Sequence, residues 1–227
     1  MSSFRIIANH ADFIIINKAP GISVHKDDNE SGLTMELSAA LGIHVYLVHR
    51  LDKVTSGVMV FAKSADAAAE IADQFAKKTV KKFYIALSDK KPSKKQGLVK
   101  GDMIKARRGA WKLTKTNTSP AQTHFFSMSP SPGRRLFLLK PSTGKTHQLR
   151  VALKSVGAPV LGDALYSGSP ADRTYLHAWQ LMFSFNENHY HFIAQPEWGR
   201  FFDCPEVEAQ LKRWEQPASL KWPANNE

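Results

Sequence analysis

The sequence predicts an α+β fold built around a mixed, largely antiparallel β-sheet. Short apolar runs typical of strands recur along the whole chain, whereas only a few stretches show helical periodicity. Helices and strands do not alternate strictly, so a fully parallel βαβ architecture is not indicated. The 227 residues, 43% of them hydrophobic, are enough to bury a core, and we expect a single domain over residues 1–227.

The N-terminal part predicts two strands, a short helix and a buried strand. Residues 4–8 and 13–17 are apolar runs rich in Ile and Phe, joined by a polar turn. A short helix is expected at residues 34–41. The run GVMVFAK, residues 57–63, is continuously apolar and predicts a buried strand. Asp52 therefore lies on a loop that leads into a core strand, which is a rigid support for a reactive group.

The middle of the chain predicts one helix and several strands. Ser64 can cap a helix over residues 65–77, in which apolar residues recur at helical spacing. The strand that begins at Lys81 alternates, so Tyr84 points away from an apolar row of Phe83, Ile85 and Leu87. Further strands are expected at residues 98–104, 111–114, 122–128 and 135–139.

The C-terminal part predicts a helix capped by Thr146 and stopped by Gly157. A strand at residues 191–194, a helix at residues 205–214 and a loose tail at residues 215–227 follow. The polar side of the first helix consists of His147, Arg150 and Lys154.

Positive charge is concentrated in one region. The chain has 31 Lys and Arg against 20 Asp and Glu, a formal net charge of +11. Residues 77–115 alone hold 14 Lys or Arg and only two acids, Asp89 and Asp102. Such a segment favours a polyanion, and its cations can contact phosphates with salt-dependent affinity. The alternative is a solvated loop that improves solubility. A membrane surface is disfavoured because no amphipathic helix accompanies the cations.

Cysteine content and hydropathy indicate a cytoplasmic protein. Cys204 is the single cysteine, so no intramolecular disulfide can form, which fits a reducing compartment. We assign Cys204 a structural role. The N-terminus does not resemble a secretory signal, and no apolar run is long enough to span a bilayer.

Several motifs resemble known sites but lack a required residue. STGKTHQ contains Gly144-Lys145-Thr146 yet has Leu139 where a P-loop needs glycine. GISVH ends in His25 where a serine-hydrolase elbow needs glycine. The HYH segment at residues 189–191 has no Cys or carboxylate cluster nearby, so we expect no metal site. Asp52 has no local acidic partner for two-carboxylate glycosidase chemistry.

The stretch VHRLDKVTSG places one acid, Asp52, between the cations Arg50 and Lys53. Arg150 directly follows an apolar helix position, so it could face a cleft, although a solvated helix face is the alternative. An arginine facing Asp52 would lower its pKa and keep it ionised. An ionised carboxylate can serve as a nucleophile or a base but not as a general acid.

Four ordered segments resemble the RluA family of pseudouridine synthases. HRLDKVTSGVMVFAKS, residues 49–64, is similar to the catalytic signature of that family, H-R-L-D-x-x-T-S-G. FIIINKAPGISVH, residues 13–25, resembles its N-terminal strand and turn. KKFYIAL, residues 81–87, resembles the segment that carries its active-site tyrosine. GKTHQLRVALKSVGAPVLGDALYSG, residues 144–168, resembles its late motif G-[RK]-T-H-Q-[IL]-R-V.

The resemblance implies an enzyme that isomerises uridine in RNA, ribosomal or transfer RNA, without metal or cofactor. It implies that Asp52 is the catalytic carboxylate, that Arg150 is its ion-pair partner, and that Tyr84 packs on the uracil. The residues that it implies for substrate binding are His49, Arg50, Thr55 and Leu149. Arg50 would help to hold the flipped nucleotide, and Leu149 would line the pocket.

The resemblance also implies the arrangement of the fold. The sheet is expected in two halves with a central catalytic cleft. No N-terminal S4-like module precedes Phe4, so we expect the catalytic domain of a monomer to hold the RNA by itself. The sequence departs from the common pattern at Ala19-Pro20, at Lys53-Val54 and at residues 152–154, which puts the details of RNA contact in doubt. The route of attack by Asp52, on the sugar, on C6 or on the 2′ proton, stays open.

Two other function classes are weighed against the synthase. The first is a non-catalytic RNA-binding or RNA-assembly protein on the same fold, which explains the cations equally well. It does not explain why Asp52 is kept beside an arginine, where an acid would repel RNA. A nucleoside or glycosyl hydrolase would release uracil, whereas an isomerase releases only the C5 hydrogen.

Overall fold

The structure, a computed structural model, describes residues 2–25 and 32–223. Twelve strands and four α-helices are assigned in these residues. The strands are β1 (Phe4–Asn9), β2 (Phe13–Lys18), β3 (Tyr46–Leu47), β4 (Ser56–Ala62), β5 (Lys81–Ser88), β6 (Gln96–Gly101), β7 (Met103–Lys105), β8 (Trp111–Leu113), β9 (Ala121–Met128), β10 (Arg135–Pro141), β11 (Leu176–Phe185) and β12 (Asn188–Ile193). The helices are α1 (Leu33–Leu41), α2 (Ala65–Ala76), α3 (Gln148–Ser155) and α4 (Pro205–Arg213).

The chain divides into two compact units, where the sequence predicted one domain in two halves. The first unit contains Met1–Lys82 and His177–Pro196. The second contains Phe83–Leu176 and Glu197–Glu227. Each unit therefore combines segments that are distant in the sequence.

The first unit contains a mixed sheet in the order β1-β2-β4-β11, with β3 paired to β4 and β12 paired to β11. All of these pairs are antiparallel except β4 with β11, which are parallel. Every residue of β2 and β4 is buried, because both faces of these strands are covered. The buried strand predicted before Lys63 is thereby confirmed, and the Asp52 loop leads directly into it.

The second unit contains an antiparallel sheet in the order β5-β10-β9-β6 and a separate β7–β8 hairpin. Phe83, Ile85 and Leu87 are fully buried, whereas Tyr84 is half-buried. The predicted alternation of β5 is therefore confirmed. The α+β class with a mixed, largely antiparallel sheet is likewise confirmed.

Several local features differ from the sequence expectations. The single strand predicted at residues 98–104 is divided into β6 and β7, which belong to different sheets. Strand β11 was not predicted, because its burial on both faces removes the alternation that marks an ordinary strand. Helix α3 is not capped by Thr146; its N-cap is His147, in the left-handed region at φ 58° and without a side-chain capping bond. In the predicted loose tail, Pro217 is buried and the Trp222 ring lies 4.8 Å from that of Phe126; residues 224–227 lie outside the described part.

Among the described residues, none of the helices combines the length and the hydropathy that crossing a bilayer requires.

Gly57, the second residue of β4, generates a prediction. Its φ of 118° disfavours any side chain, and an added Cβ would lie 2.1 Å from the carbonyl oxygen of Ala178. We expect Gly57→Ala to lower the free energy of unfolding by about 3 kcal/mol or more, since β4 and β11 would have to separate. Urea unfolding followed by circular dichroism measures this loss.

Gly133 provides the matched control for this substitution. It also has a positive φ, 72°, but an added Cβ would meet nothing within 4 Å. Gly133→Ala should therefore cost only about 1 kcal/mol of conformational strain. Equal losses in the two variants would contradict a steric role for Gly57.

Candidate active site

Asp52 occupies a tight turn between buried Leu51 and strand β4. The backbone N–H of Thr55 donates to the carbonyl of Asp52 at 2.9 Å, which closes the turn. Thr55 itself is only 3% exposed, whereas the Asp52 side chain is half-buried. The turn therefore presents the carboxylate between two buried residues, Leu51 and Thr55.

Lys18, at the end of β2, binds this turn through a hydrogen bond to the backbone. It is fully buried, and its ammonium donates to the carbonyls of Ala19 and Ile22 at 2.8 Å and to that of Lys53 at 3.2 Å. The Lys53 carbonyl also accepts from the N–H of Gly21 at 2.8 Å. A buried ammonium is tolerated because carbonyl dipoles replace its water shell. Lys18 thus binds the residue next to Asp52 to a core strand.

Ser56 and His177 form a second buried connection to the same loop. Ser56 Oγ lies 2.7 Å from His177 Nδ1, and His177 Nε2 lies 2.7 Å from the carbonyl oxygen of Ala194. Because a carbonyl only accepts, Nε2 carries a proton and donates to Ala194, while Nδ1 is hydrogen-bonded to the Ser56 hydroxyl. Ser56 and His177 are both 0% exposed, so this pair fixes the strand and does not act as a nucleophile.

His49, in the same signature, makes structural contacts. Its Nε2 accepts a hydrogen bond from the N–H of Val60 at 3.1 Å, and its ring stacks on Phe75 with centroids 4.4 Å apart. Burial, with the positive charge of Lys82 as a second cause, lowers the pKa of His49 to about 3. The ring is therefore neutral at physiological pH. Arg50, the next residue, is exposed.

Arg150, on helix α3, forms a buried bidentate ion pair that the sequence analysis did not predict. Its Nε and Nη2 donate to the Asp163 carboxylate at 2.7 and 2.8 Å, and the two residues are 4% and 1% exposed. The pair uses two of the five guanidinium N–H donors and fixes the plane of the group. A solvated face at Arg150 is excluded by this burial. Asp163 lies in GDALYSG, residues 162–168, within the late family motif. An acid between two glycines in that motif was the sequence feature that could have indicated a functional role.

Tyr166 supports the same guanidinium from another side. The Tyr166 ring centroid lies 4.9 Å from the guanidinium carbon of Arg150, within cation–π range. Its hydroxyl accepts from the N–H of Trp111 at 2.9 Å and lies 2.8 Å from His147 Nδ1. The aromatic ring is thus itself held by hydrogen bonds, which leaves Arg150 little rotational freedom.

The predicted site residues are distributed over both units. His49, Arg50, Asp52 and Thr55 belong to the first unit, and Tyr84, Leu149 and Arg150 to the second. Within the first unit, Asp52 and Thr55 meet in the turn described above. Leu149 is 8% exposed, next to Arg150 on α3. The Asp52–Arg150 ion pair stays a prediction.

The lowered pKa of His49 generates a prediction on stability. Between pH 6.5 and about 3 the unfolded chain binds a proton on His49 that the folded chain does not, so stability should fall as the pH decreases through this window. The His49 contribution to the slope approaches about 1.4 kcal/mol per pH unit. Replacing His49 with Gln, which can still accept from Val60, should remove that contribution. Urea unfolding of both proteins at several pH values measures the difference, and identical pH slopes would contradict the prediction.

The chain matches a family of known enzymes. Residues 12–155 match the family model described as RNA pseudouridylate synthase. The matched range includes the Asp52 turn, strand β5 and the whole of helix α3. It therefore contains every predicted site residue.

Relatives of known sequence carry the same description. The chain is 53% identical over 211 residues to an RNA pseudouridine synthase of Haemophilus influenzae, which covers 92% of this chain and 94% of that protein. It is 33% identical over 202 residues to ribosomal large subunit pseudouridine synthase D of Nitrosomonas europaea, covering 78% of this chain but 57% of that protein. The chain thus spans nearly all of the first relative and just over half of the second.

A solved structure shows the same fold. Human RNA pseudouridylate synthase domain containing 1 superposes with a TM-score of 0.78 over 97% of both chains, at 22% sequence identity. This likeness concerns the fold. Together with the family match over residues 12–155 and the close relative, it shows that the chain belongs to the RNA pseudouridine synthases, a family of isomerases.

Proposed function

We propose that this protein converts uridine to pseudouridine in structured RNA, with Asp52 as the catalytic carboxylate. The observation that carries this proposal is the support given to the Asp52 turn. A buried ammonium, a buried serine–histidine pair and a strand with both faces covered all fix residues within a few positions of Asp52. Such support is expected for a reactive group that must be held within a fraction of an ångström.

The reaction is an isomerisation and needs no co-reactant. The C1′–N1 bond of uridine breaks, the uracil turns within the site, and C5 forms a new bond to C1′. The hydrogen on C5 leaves as a proton, and N1 gains one. A carboxylate can begin this sequence by adding to the sugar, by adding to C6 or by removing the 2′ proton, and Asp52 in its ionised form can do each of these.

Arg150, Tyr84 and Leu149 have complementary roles in this proposal. Arg150 pairs with the Asp52 carboxylate and helps to hold it against the nucleotide. Its rigid pairing with Asp163 holds the guanidinium ready for that contact. Tyr84, half-buried on β5, packs on the detached uracil, and buried Leu149 provides an apolar wall. Both would keep the base from escaping before C5 rejoins the sugar.

We further propose ribosomal RNA as the first target to test. Two relatives are named ribosomal large subunit pseudouridine synthases C and D, which supports this choice over transfer RNA. The cations of residues 77–115 would contact phosphates and offset the few kcal/mol that extrusion of a base costs. His49, Arg50 and Thr55 stay predicted contributors to nucleotide binding. A cytoplasmic monomer stays the expectation from the sequence.

Replacement of Asp52 by Asn tests the central role. We expect Asp52→Asn to reduce tritium release from [5-³H]uridine-labelled ribosomal RNA at least about 10⁴-fold, since a neutral amide can neither add nor accept a proton. Asp89→Asn, at an exposed acid outside the turn, should retain full activity. A wild-type protein that binds RNA tightly but releases no tritium would favour a non-catalytic binding protein, and release of uracil would favour a hydrolase.

Replacement of Asp163 by Asn tests the support of Arg150. The neutral amide leaves a buried guanidinium without its counter-charge, so we expect the free energy of unfolding to drop by about 3 kcal/mol. We also expect kcat to fall about 10- to 100-fold with KM nearly unchanged, because the misplaced guanidinium acts on the chemistry and not on RNA docking. Steady-state tritium release at a temperature where the variant is fully folded separates the two effects. Wild-type kcat in the folded variant would show that Asp163 only stabilises the fold.

A further inference from the structure

Lys82, on strand β5, is a half-buried cation with an unusual set of neighbours. Its ammonium lies 5.8 Å from the ring centroid of Phe75, and the same ring stacks on His49. Over residues 2–25 and 32–223, no hydrogen bond or ion pair to the Lys82 side chain is formed. Its surroundings are therefore aromatic rings and a neutral imidazole, none of which carries a negative charge.

The two fully buried cations of the described residues have stronger partners. Lys18 donates to three carbonyls, and Arg150 binds the Asp163 carboxylate with two hydrogen bonds. Lys82 receives only the weaker cation–π attraction of Phe75, and burial lowers its pKa. Keeping a charge partly out of water without an anion is unfavourable for the folded chain alone. Such a cost is commonly found where a ligand supplies the missing partner.

The position of Lys82 indicates where that ligand would lie. The ammonium is near enough to His49 for its charge to contribute to the low pKa of that ring. His49 precedes Asp52 by three residues in the same signature segment, and its Nε2 accepts from the N–H of Val60 in strand β4, which follows the Asp52 turn. Tyr84 follows Lys82 by two residues on β5. Lys82 is thus attached to the elements that carry the predicted site residues.

We propose that Lys82 binds a backbone phosphate of the RNA beside the nucleotide that reaches Asp52. This inference rests on the proposed function, because it takes the ligand to be the RNA substrate. A phosphate supplies one negative charge and several acceptors, which match the three donors of an ammonium. A partly buried contact is less screened by salt than those of exposed lysines, so this phosphate would be held tightly.

The exposed neighbour Lys81 provides a matched control. It is adjacent in sequence and carries the same charge, but it lies on the opposite face of β5 and is exposed, whereas Lys82 is half-buried. Lys82→Met and Lys82→Gln each remove the charge at about the same length, and Lys82→Arg retains it. Lys81→Met removes an equal charge without touching the Phe75–His49 stack.

The test is RNA binding as a function of salt, measured by fluorescence anisotropy with a labelled stem-loop of roughly 20 nucleotides that has uridines in its loop. Each phosphate contact to single-stranded RNA contributes about 0.7 to the slope of log affinity against log salt. We expect both neutral Lys82 variants to lose about that much slope and to bind about fivefold more weakly at roughly 0.15 M salt. Lys82→Arg and Lys81→Met should keep the wild-type slope.

Thermal unfolding completes the test. Removing a poorly compensated charge should leave the Tm of Lys82→Met equal to or above that of wild type. An unchanged slope in the neutral variants, or an equal loss in Lys81→Met, would overturn the proposal. Failure of both neutral variants to fold would show that Lys82 is structural and would overturn it as well.

Binding and turnover separate this inference from the proposed function. If the slope falls as expected but wild type releases no tritium from any RNA, the Lys82 contact stands and the role of Asp52 fails. If wild type isomerises uridine while the neutral variants keep the full slope, the proposed function stands and the Lys82 contact fails.

Discussion

The contact between the Lys18 ammonium and the carbonyl of Lys53 is the interaction on which the candidate site depends. A fully buried ammonium must direct its three N–H groups to acceptors, and Lys18 finds them in two different loops. One loop follows β2, and the other contains Asp52. Breaking any of these bonds would leave a buried charge without an acceptor. The two loops are therefore held in a fixed position relative to β2. The position of Asp52 is therefore fixed by β2, a strand in which every residue is buried.

The two histidines near this turn are scaffolds. His177 uses both ring nitrogens for buried hydrogen bonds, and His49 accepts from Val60 with a pKa far below physiological pH. Neither ring is placed to relay protons as a general acid or base. Both rings therefore support the turn, and the proposed chemistry rests on the Asp52 carboxylate.

In the second unit, the Arg150–Asp163 ion pair fixes the orientation of a guanidinium and has no net charge. Asp163 neutralises Arg150, and its two hydrogen bonds together with the Tyr166 ring fix the guanidinium plane. An arginine held in this way does not add an uncompensated charge to the interior. Lys82 differs from both Lys18 and Arg150, since its contacts leave its charge largely unbalanced until an anion arrives. Lys18 and Arg150 thus have hydrogen-bond acceptors within the protein, whereas Lys82, which we propose to bind RNA, has the Phe75 ring as its neighbour.

The local elements and the family can be read from the amino-acid sequence. Strands β1, β2, β4 and β5 and helix α2 follow from apolar periodicity and a serine cap, because these signals act between residues close in the chain. The signature around Asp52 and the segments that carry Tyr84 and Arg150 were recognisable for the same reason. Three features became visible only in the folded chain: β11 lies parallel to β4, Asp163 binds Arg150, and the buried Lys18 ammonium contacts the Asp52 turn. These are contacts between distant segments, and whether a given lysine or aspartate is buried depends on which segments cover it, which no local pattern records.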